Sequence, residues 1–196
     1  DYCIGMIGNW GVHHLDIAQW GNNTELSGPI EVEGNGVFPK DMLSDCALTW
    51  QVENRYANGV TVRLEMPPGE LNGGAVFVGS KARIEIVRNN FRTDPPHLIK
   101  DLPPPEEVQK WRDDVALWQA KYHMGNWLDC MRTRNKPIAD VEVGHRSITV
   151  AHLANITRQL NRSLRWDPVR ESFVGDTEAN RLLTRARRHP YELPKI

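Results

Sequence analysis

Ala47-Leu48-Thr49-Trp50-Gln51-Val52-Glu53, then Tyr56-Ala57-Asn58-Gly59, then Val60-Thr61-Val62-Arg63-Leu64-Glu65-Met66 is the stretch on which the fold turns. Both flanks alternate apolar and polar residues with period two, and Asn-Gly between such flanks is a strong short-range hairpin signal. Working outward, Ile30-Glu31-Val32-Glu33 starts a strand after Gly28-Pro29. Ala75–Val78 and Arg83–Arg88, joined by Gly79-Ser80-Lys81, predict a second hairpin. One polar and one apolar face per strand suits an antiparallel sheet covered on a single side.

Helical periodicity brackets this β region. Gly8-Asn9-Trp10-Gly11-Val12-His13-His14-Leu15-Asp16-Ile17-Ala18-Gln19-Trp20 predicts an opening helix that ends near Trp20-Gly21-Asn22. Trp118, Tyr122, Trp127 and Met131 mark a later apolar stripe, and Asp140 is placed to cap a helix from about Val141 to Leu160. Leu164–Asp167 predicts a short strand, and Asp176-Thr177-Glu178 opens a last short helix. The stretch from Asn89 to Glu107 holds five prolines and is expected to be an irregular surface excursion. The fold class is therefore α+β: one open, mainly antiparallel mixed sheet with helices packed on one face, in a single domain over residues 1–196.

Composition narrows the function classes. A formal net charge of −1 gives no electrostatic reason for nucleic acid or an anionic membrane as partner. No apolar run approaches the roughly 20 residues that span a bilayer, and 40% hydrophobic with 25% charged residues is a soluble globular balance, cytoplasmic or periplasmic alike. The chain begins Asp1-Tyr2-Cys3, which reads as a fragment or a processed chain. Its three cysteines, Cys3, Cys46 and Cys130, have no Cys-x-x-Cys spacing and are expected as plain thiols.

The chemistry-bearing residues cluster on the opening helix. Asn9, His13 and Asp16 lie one turn apart in succession, forming a polar row on one side. Imidazole titrates near pH ~6.5, which suits it to proton transfer at neutral pH. His14 projects about 100° away from His13; a second pocket contact and a packing role both fit it. Asp16 is placed either to orient His13 or to make a local surface contact. Trp10 offers a flat wall to a pocket or plain core. A metal site is not expected, because adjacent His13 and His14 cannot both face one ion on a regular helix. His123, just before Asn126-Trp127, reaches either a pocket or the surface; His145 and His152 are expected to pack, and Arg185, Arg187 and Arg188 read as a solvated tail.

Asn9-Trp10-Gly11-Val12-His13-His14-Leu15-Asp16-Ile17-Ala18-Gln19-Trp20 resembles the start of the C-terminal domain of Gfo/Idh/MocA oxidoreductases. Tyr56–Val60, Gly79–Glu85, Asn126–Cys130, Glu142–Ser147, Trp166–Pro168 and Gly175–Asn180 extend the resemblance over nearly the whole chain. It implies the substrate-binding and oligomerisation part of an enzyme that uses NAD or NADP to oxidise a sugar or cyclic polyol. In such enzymes an N-terminal Rossmann domain holds the dinucleotide, and the open sheet face joins copies into a homo-oligomer. This chain shows no Gly-x-Gly-x-x-Gly after a strand, so that half is expected outside it. The resemblance makes His13 the general base and aligns Asn9 with the family's aspartate; from their own placement, Trp10, His14, Asp16 and His123 are the candidate substrate contacts. Asn9 carries no ionisable group, which leaves two other readings: a carbohydrate-binding or assembly module without redox chemistry, and a lyase or hydrolase on the same pocket.

Overall fold

The computed structural model describes residues 4–66, 73–87, 90–99 and 123–193. Helix α1 (Met6–Gly21) leads into strands β1 (Glu31–Val37), β2 (Thr49–Arg55) and β3 (Thr61–Met66), then β4 (Ala75–Val78), β5 (Arg83–Val87) and β6 (Asn90–Asp94). A 3-10 turn (Pro96–Ile99) follows, and after it α2 (His123–Thr133), α3 (Val141–Leu160), β7 (Leu164–Asp167), β8 (Ser172–Phe173) and α4 (Thr177–Arg181).

Among the described residues the strands form two antiparallel sheets, ordered β3-β2-β1-β7-β8 and β4-β5-β6. The α+β class stands, with the expected sheet divided in two. The β3 ladder ends at Met66, ahead of Pro67, whose nitrogen has no hydrogen to donate. The hairpin that decided the fold forms with β2 two residues further along than the alternating run and β3 one residue shorter, Arg55 opposite Thr61. Its loop is closed by Tyr56 N–H to Val60 O at 2.9 Å and Gly59 N–H to Tyr56 O at 3.0 Å. Gly59 sits at φ +86°, a left-handed backbone that glycine adopts without penalty.

The proline-rich stretch departs from expectation at its start. Asn90–Asp94 pairs with β5 as a third strand, because the prolines begin only at Pro95 and those five residues keep their N–H groups. The rest of that stretch from Lys100, and Trp118 and Tyr122 of the expected stripe, lie outside the described residues. β8 spans two residues, too few to show alternation, and has no counterpart in the sequence reading.

α3 packs on β1 and β2 of the five-stranded sheet, and α1 packs on α3 and against β4 of the other sheet. The inward positions of β2, Trp50, Val52 and Asn54, and Tyr56 just beyond it, are buried, while Gln51 is exposed. α3 begins where expected, with Asp140 accepting from Glu142 N–H at 3.0 Å, and ends at left-handed Asn161, φ 51°. Val150, Ala151, Leu153 and Ala154 are fully buried on it, each larger apolar side chain contributing about 1.5–3 kcal/mol on leaving water. On β1, a side chain at Gly34 would come within 2.3 Å of Gln51 O, so β1 and β2 approach each other only because that position has no Cβ.

The far end of α1 is tied by a buried amide. Gln19 Nε2 donates to Thr24 O and Ser27 O at 3.0 and 3.1 Å, and its Oε1 accepts from Tyr56 Oη at 2.6 Å and Thr24 Oγ1 at 2.9 Å. All four bonds satisfy one fully buried side chain, and burial pushes the Tyr56 phenol above its ordinary range. Tyr56→Phe is expected to lower unfolding stability by about 1 kcal/mol in urea titration, the ordinary net value of one hydrogen bond.

The start of α4 is fixed electrostatically. Arg162 and the Ala179 N–H hold the Asp176 carboxyl down to about 2. A depressed carboxylate adds stability that is fully present above its unfolded value, near ~3.9, and is lost as pH falls through its folded value. Asp176→Asn keeps a capping side chain and removes the titration. Thermal melts of this variant are therefore expected to fall less steeply than the native protein's between about pH 4 and pH 2.

Candidate functional site

The site is built on the outer side of α1. The helix starts from Gly5, at φ +76°, where an added Cβ would meet Cys46 Cβ at 2.9 Å; its carbonyl accepts from Gly8 and Asn9 N–H, both at 3.1 Å. Ile7, Leu15 and Gln19 turn inward and are buried. Asn9, Trp10, His13, Asp16 and Trp20 are exposed, a stripe at helical spacing along the opposite side.

Two predicted residues are brought together. The Trp10 and His13 rings meet edge-on, centroids 6.1 Å apart and planes at 64°, and Trp10 stays 42% exposed. Asn9 stands one turn before His13 on the same face. His14 points elsewhere: its imidazole closes on Gly73 at the approach to β4, where an added Cβ would lie 2.2 Å from His14 Cε1. Asp16 shares the exposed stripe, but its Oδ1 accepts from Ser147 Oγ on α3 at 2.6 Å. Of the two readings of Asp16, this geometry supports a tie between helices. His123 is the exposed first residue of α2 and makes no hydrogen bond, ion pair or ring contact with α1 among the described residues. A group of three or more His, Cys, Asp or Glu suited to a metal ion is not found among the described residues.

His145 and His152, expected to pack, are both exposed on the surface of α3. His145 Nε2 lies 2.6 Å from Glu171 Oε1, which also accepts from Arg146 Nη1 at 2.9 Å, so the β7–β8 turn is pinned to α3. Partial desolvation of the ring, and secondarily Arg185, lower the His152 imidazole's basicity.

Sequence reasoning passed over Ser147 and Arg158. Arg158 is 2% exposed, with Nη2 donating to Ile4 O at 3.0 Å and to Asn155 Oδ1 at 2.8 Å. Its charged carbon sits 4.8 Å from the Trp50 ring centroid and 5.8 Å from that of Phe38. The available signal was spacing: Ser147, Ala151, Ala154 and Arg158 fall on one stripe of α3, with a charged residue in an otherwise small and apolar row.

With this geometry in place, comparison with known proteins becomes informative. The family model described as the oxidoreductase family C-terminal alpha/beta domain, of Gfo/Idh/MocA type, matches residues 1–193. The chain belongs to that family. A solved structure with the same fold is the WlbA dehydrogenase from Bordetella pertussis in complex with NADH and UDP-GlcNAcA, at 17% identity and a TM-score of 0.53. The match covers 81% of this chain and 47% of the dehydrogenase, so this Gfo/Idh/MocA domain spans about half the length of its solved neighbour. None of the curated proteins matches the sequence significantly. Among the described residues, no helix is long and apolar enough to cross a membrane.

Removing the Ser147 hydroxyl leaves the Asp16 carboxylate to water, since that side chain is exposed. Ser147→Ala is expected to cost about 1 kcal/mol in chemical denaturation, and Asp16→Ala a similar amount, with a double-mutant cycle showing coupling between them.

Proposed function

We propose that this Gfo/Idh/MocA domain is the substrate-binding and subunit-contact part of an NAD(P)-dependent oxidoreductase acting on a sugar or cyclic polyol, with His13 as general base. The observation that carries the reading is the exposed row Asn9, Trp10 and His13 on a helix whose other side is buried. Family membership supports it, as does a structural neighbour whose complex holds NADH and a UDP-linked sugar acid.

In this reading the ring nitrogen of His13 accepts the proton of a substrate hydroxyl as the carbon bearing it is oxidised. The edge-on contact with Trp10 limits rotation of that imidazole, and the indole face is left to cover the apolar side of a sugar ring. Asn9 offers an amide donor and acceptor to a neighbouring hydroxyl. His14, Asp16 and His123 would act as outlying contacts, Asp16 while also holding α1 to α3. The dinucleotide, when bound, would supply the hydride acceptor. All strand pairs among the described residues are antiparallel, so they offer no strand–turn–helix cradle for its pyrophosphate.

A copy-to-copy contact through the uncovered sheet face would be polar. Its outward positions include Glu31, Glu33, Gln51, Glu53, Arg55, Arg63 and Glu65, and Arg55 already pairs with Glu31 at 2.7 Å and Glu33 at 3.1 Å. Association through this face is expected to weaken as salt rises from 0.05 to 0.5 M, about 50 to 500 mM, in sedimentation experiments. Salt-independent association would place the contact elsewhere.

A second reading rests on Asn9, which stands where the resemblance has an aspartate. It makes the chain a carbohydrate-binding module without redox chemistry. Kinetics of the protein together with its dinucleotide-binding half separates the two. His13→Ala is expected to lower kcat by about 10²- to 10⁴-fold with dinucleotide affinity unchanged. Unaltered turnover removes His13 from the reaction, and sugar binding without turnover under NAD or NADP favours the second reading.

A further inference from the structure

Asn-Gly occurs three times in the sequence, at Asn35, Asn58 and Asn72. Asn35-Gly36 sits inside β1, where both residues are paired with β2. Asn58-Gly59 is exposed in the β2–β3 turn, and Asn72 lies outside the described residues. The pair carries its own chemistry. A glycine nitrogen reaches the preceding carboxamide easily because no Cβ hinders its backbone. Local geometry decides whether the two react.

The turn holds Asn58 in a reactive arrangement. Val60 N–H donates to Asn58 Oδ1 at 3.1 Å, which curls the carboxamide over the intervening Gly59 nitrogen. Negative charge gathers on that same oxygen when a nucleophile adds to Cγ, so the Val60 N–H is a preformed oxyanion donor. Asn58 Nδ2, the nitrogen that would leave, donates to Asn22 Oδ1 at 2.9 Å. Apart from its chain neighbours, nothing lies within 4 Å of where a Cβ on Gly59 would stand, so the nitrogen is uncrowded. One bond opposes attack, from Gly59 N–H to Tyr56 O at 3.0 Å, and it belongs to an exposed turn. In β1 the same reaction would require the ladder itself to open at Asn35 and Gly36.

We propose that Asn58 is a site of spontaneous covalent modification by cyclisation and hydrolysis. Hydroxide removes the Gly59 amide proton, and the nitrogen bonds to Asn58 Cγ. The Cγ–Nδ2 bond breaks, and Nδ2 takes a proton from water and leaves as ammonia. Water then opens the cyclic imide at either carbonyl, giving aspartate or isoaspartate, with no oxidant or reductant consumed. The aspartate product sets a carboxylate against Asn22 Oδ1, two acceptors where a donor met an acceptor. Asn22 is the C-cap of α1, so the change releases the helix end from the turn, while the Gln19–Tyr56 bond remains. The proposal stands whether or not His13 is the base.

Native and urea-unfolded protein would be incubated side by side in mildly alkaline buffer. Peptide mass spectrometry follows each Asn-Gly pair, with electron-transfer fragmentation separating aspartate from isoaspartate. In urea, Asn35 and Asn58 are expected to convert at similar rates. In the native protein Asn58 is expected to keep its unfolded rate to within about tenfold, while Asn35 slows by about a hundredfold or more. Asn58→Asp reproduces the charge of one product, and amide hydrogen exchange at Asn22 and Asn23 is expected to rise by about threefold in it. Slowing of Asn58 on folding by more than about tenfold, or to the same degree as Asn35, would overturn the site. Unchanged exchange in Asn58→Asp would overturn its coupling to α1.

Discussion

Everything in the candidate site depends on α1 lying antiparallel along α3, fastened at two points. At one end Ser147 holds Asp16, and at the other Arg158 holds the carbonyl of Ile4. The two intervals, Ile4 to Asp16 and Ser147 to Arg158, are of nearly equal residue count, so the fastenings match along the pair. Between them α3 presents Ala151 and Ala154, fully buried and small enough for close helix approach. A helix held at both ends on small side chains cannot roll. The side carrying Ile7, Leu15 and Gln19 is committed inward, and the side carrying Asn9, Trp10 and His13 is committed to solvent.

The fastenings differ in kind. Asp16 and Ser147 meet at an exposed carboxylate, where water competes and the net gain is modest. Arg158 is a buried charge, and burial alone would be prohibitive. Aromatic faces from Phe38 and Trp50, the Asn155 side chain and the Ile4 carbonyl offset that penalty, with burial lowering the guanidinium's basicity. The Gln19 knot closes the opposite end of α1 against the β2–β3 loop through Tyr56. The helix is thus anchored by polar groups, of which only Asp16 shares the exposed stripe.

Much of this was legible from local pattern. Asp140 and the run to Leu160 gave α3 its bounds, and Trp20-Gly21-Asn22 gave α1 its end, because caps and period are local properties. The Asn58-Gly59 turn gave the hairpin, though β2 is shifted to end at Arg55 where alternation placed its end at Glu53. β6 was obscured by counting prolines over a window when only those from Pro95 onward forbid pairing. The division into two sheets left no local trace, since which strands pair is a long-range choice. At the site, the spacing of Asn9, His13 and Asp16 placed them on one side of a helix, and they are there.

By itself, then, the sequence determined which residues share a face: periods of two and 3.6 fix that within each element. Tertiary structure decided what each face meets. Asp16 found a hydroxyl 131 residues away, and His14 closed on Gly73 while His13 one position earlier stayed open. Arg158, from sequence one more cation on a long helix, became the buried anchor at the foot of α1. A side chain's direction is set by its own backbone, but its partner is set by whichever element the core brings alongside.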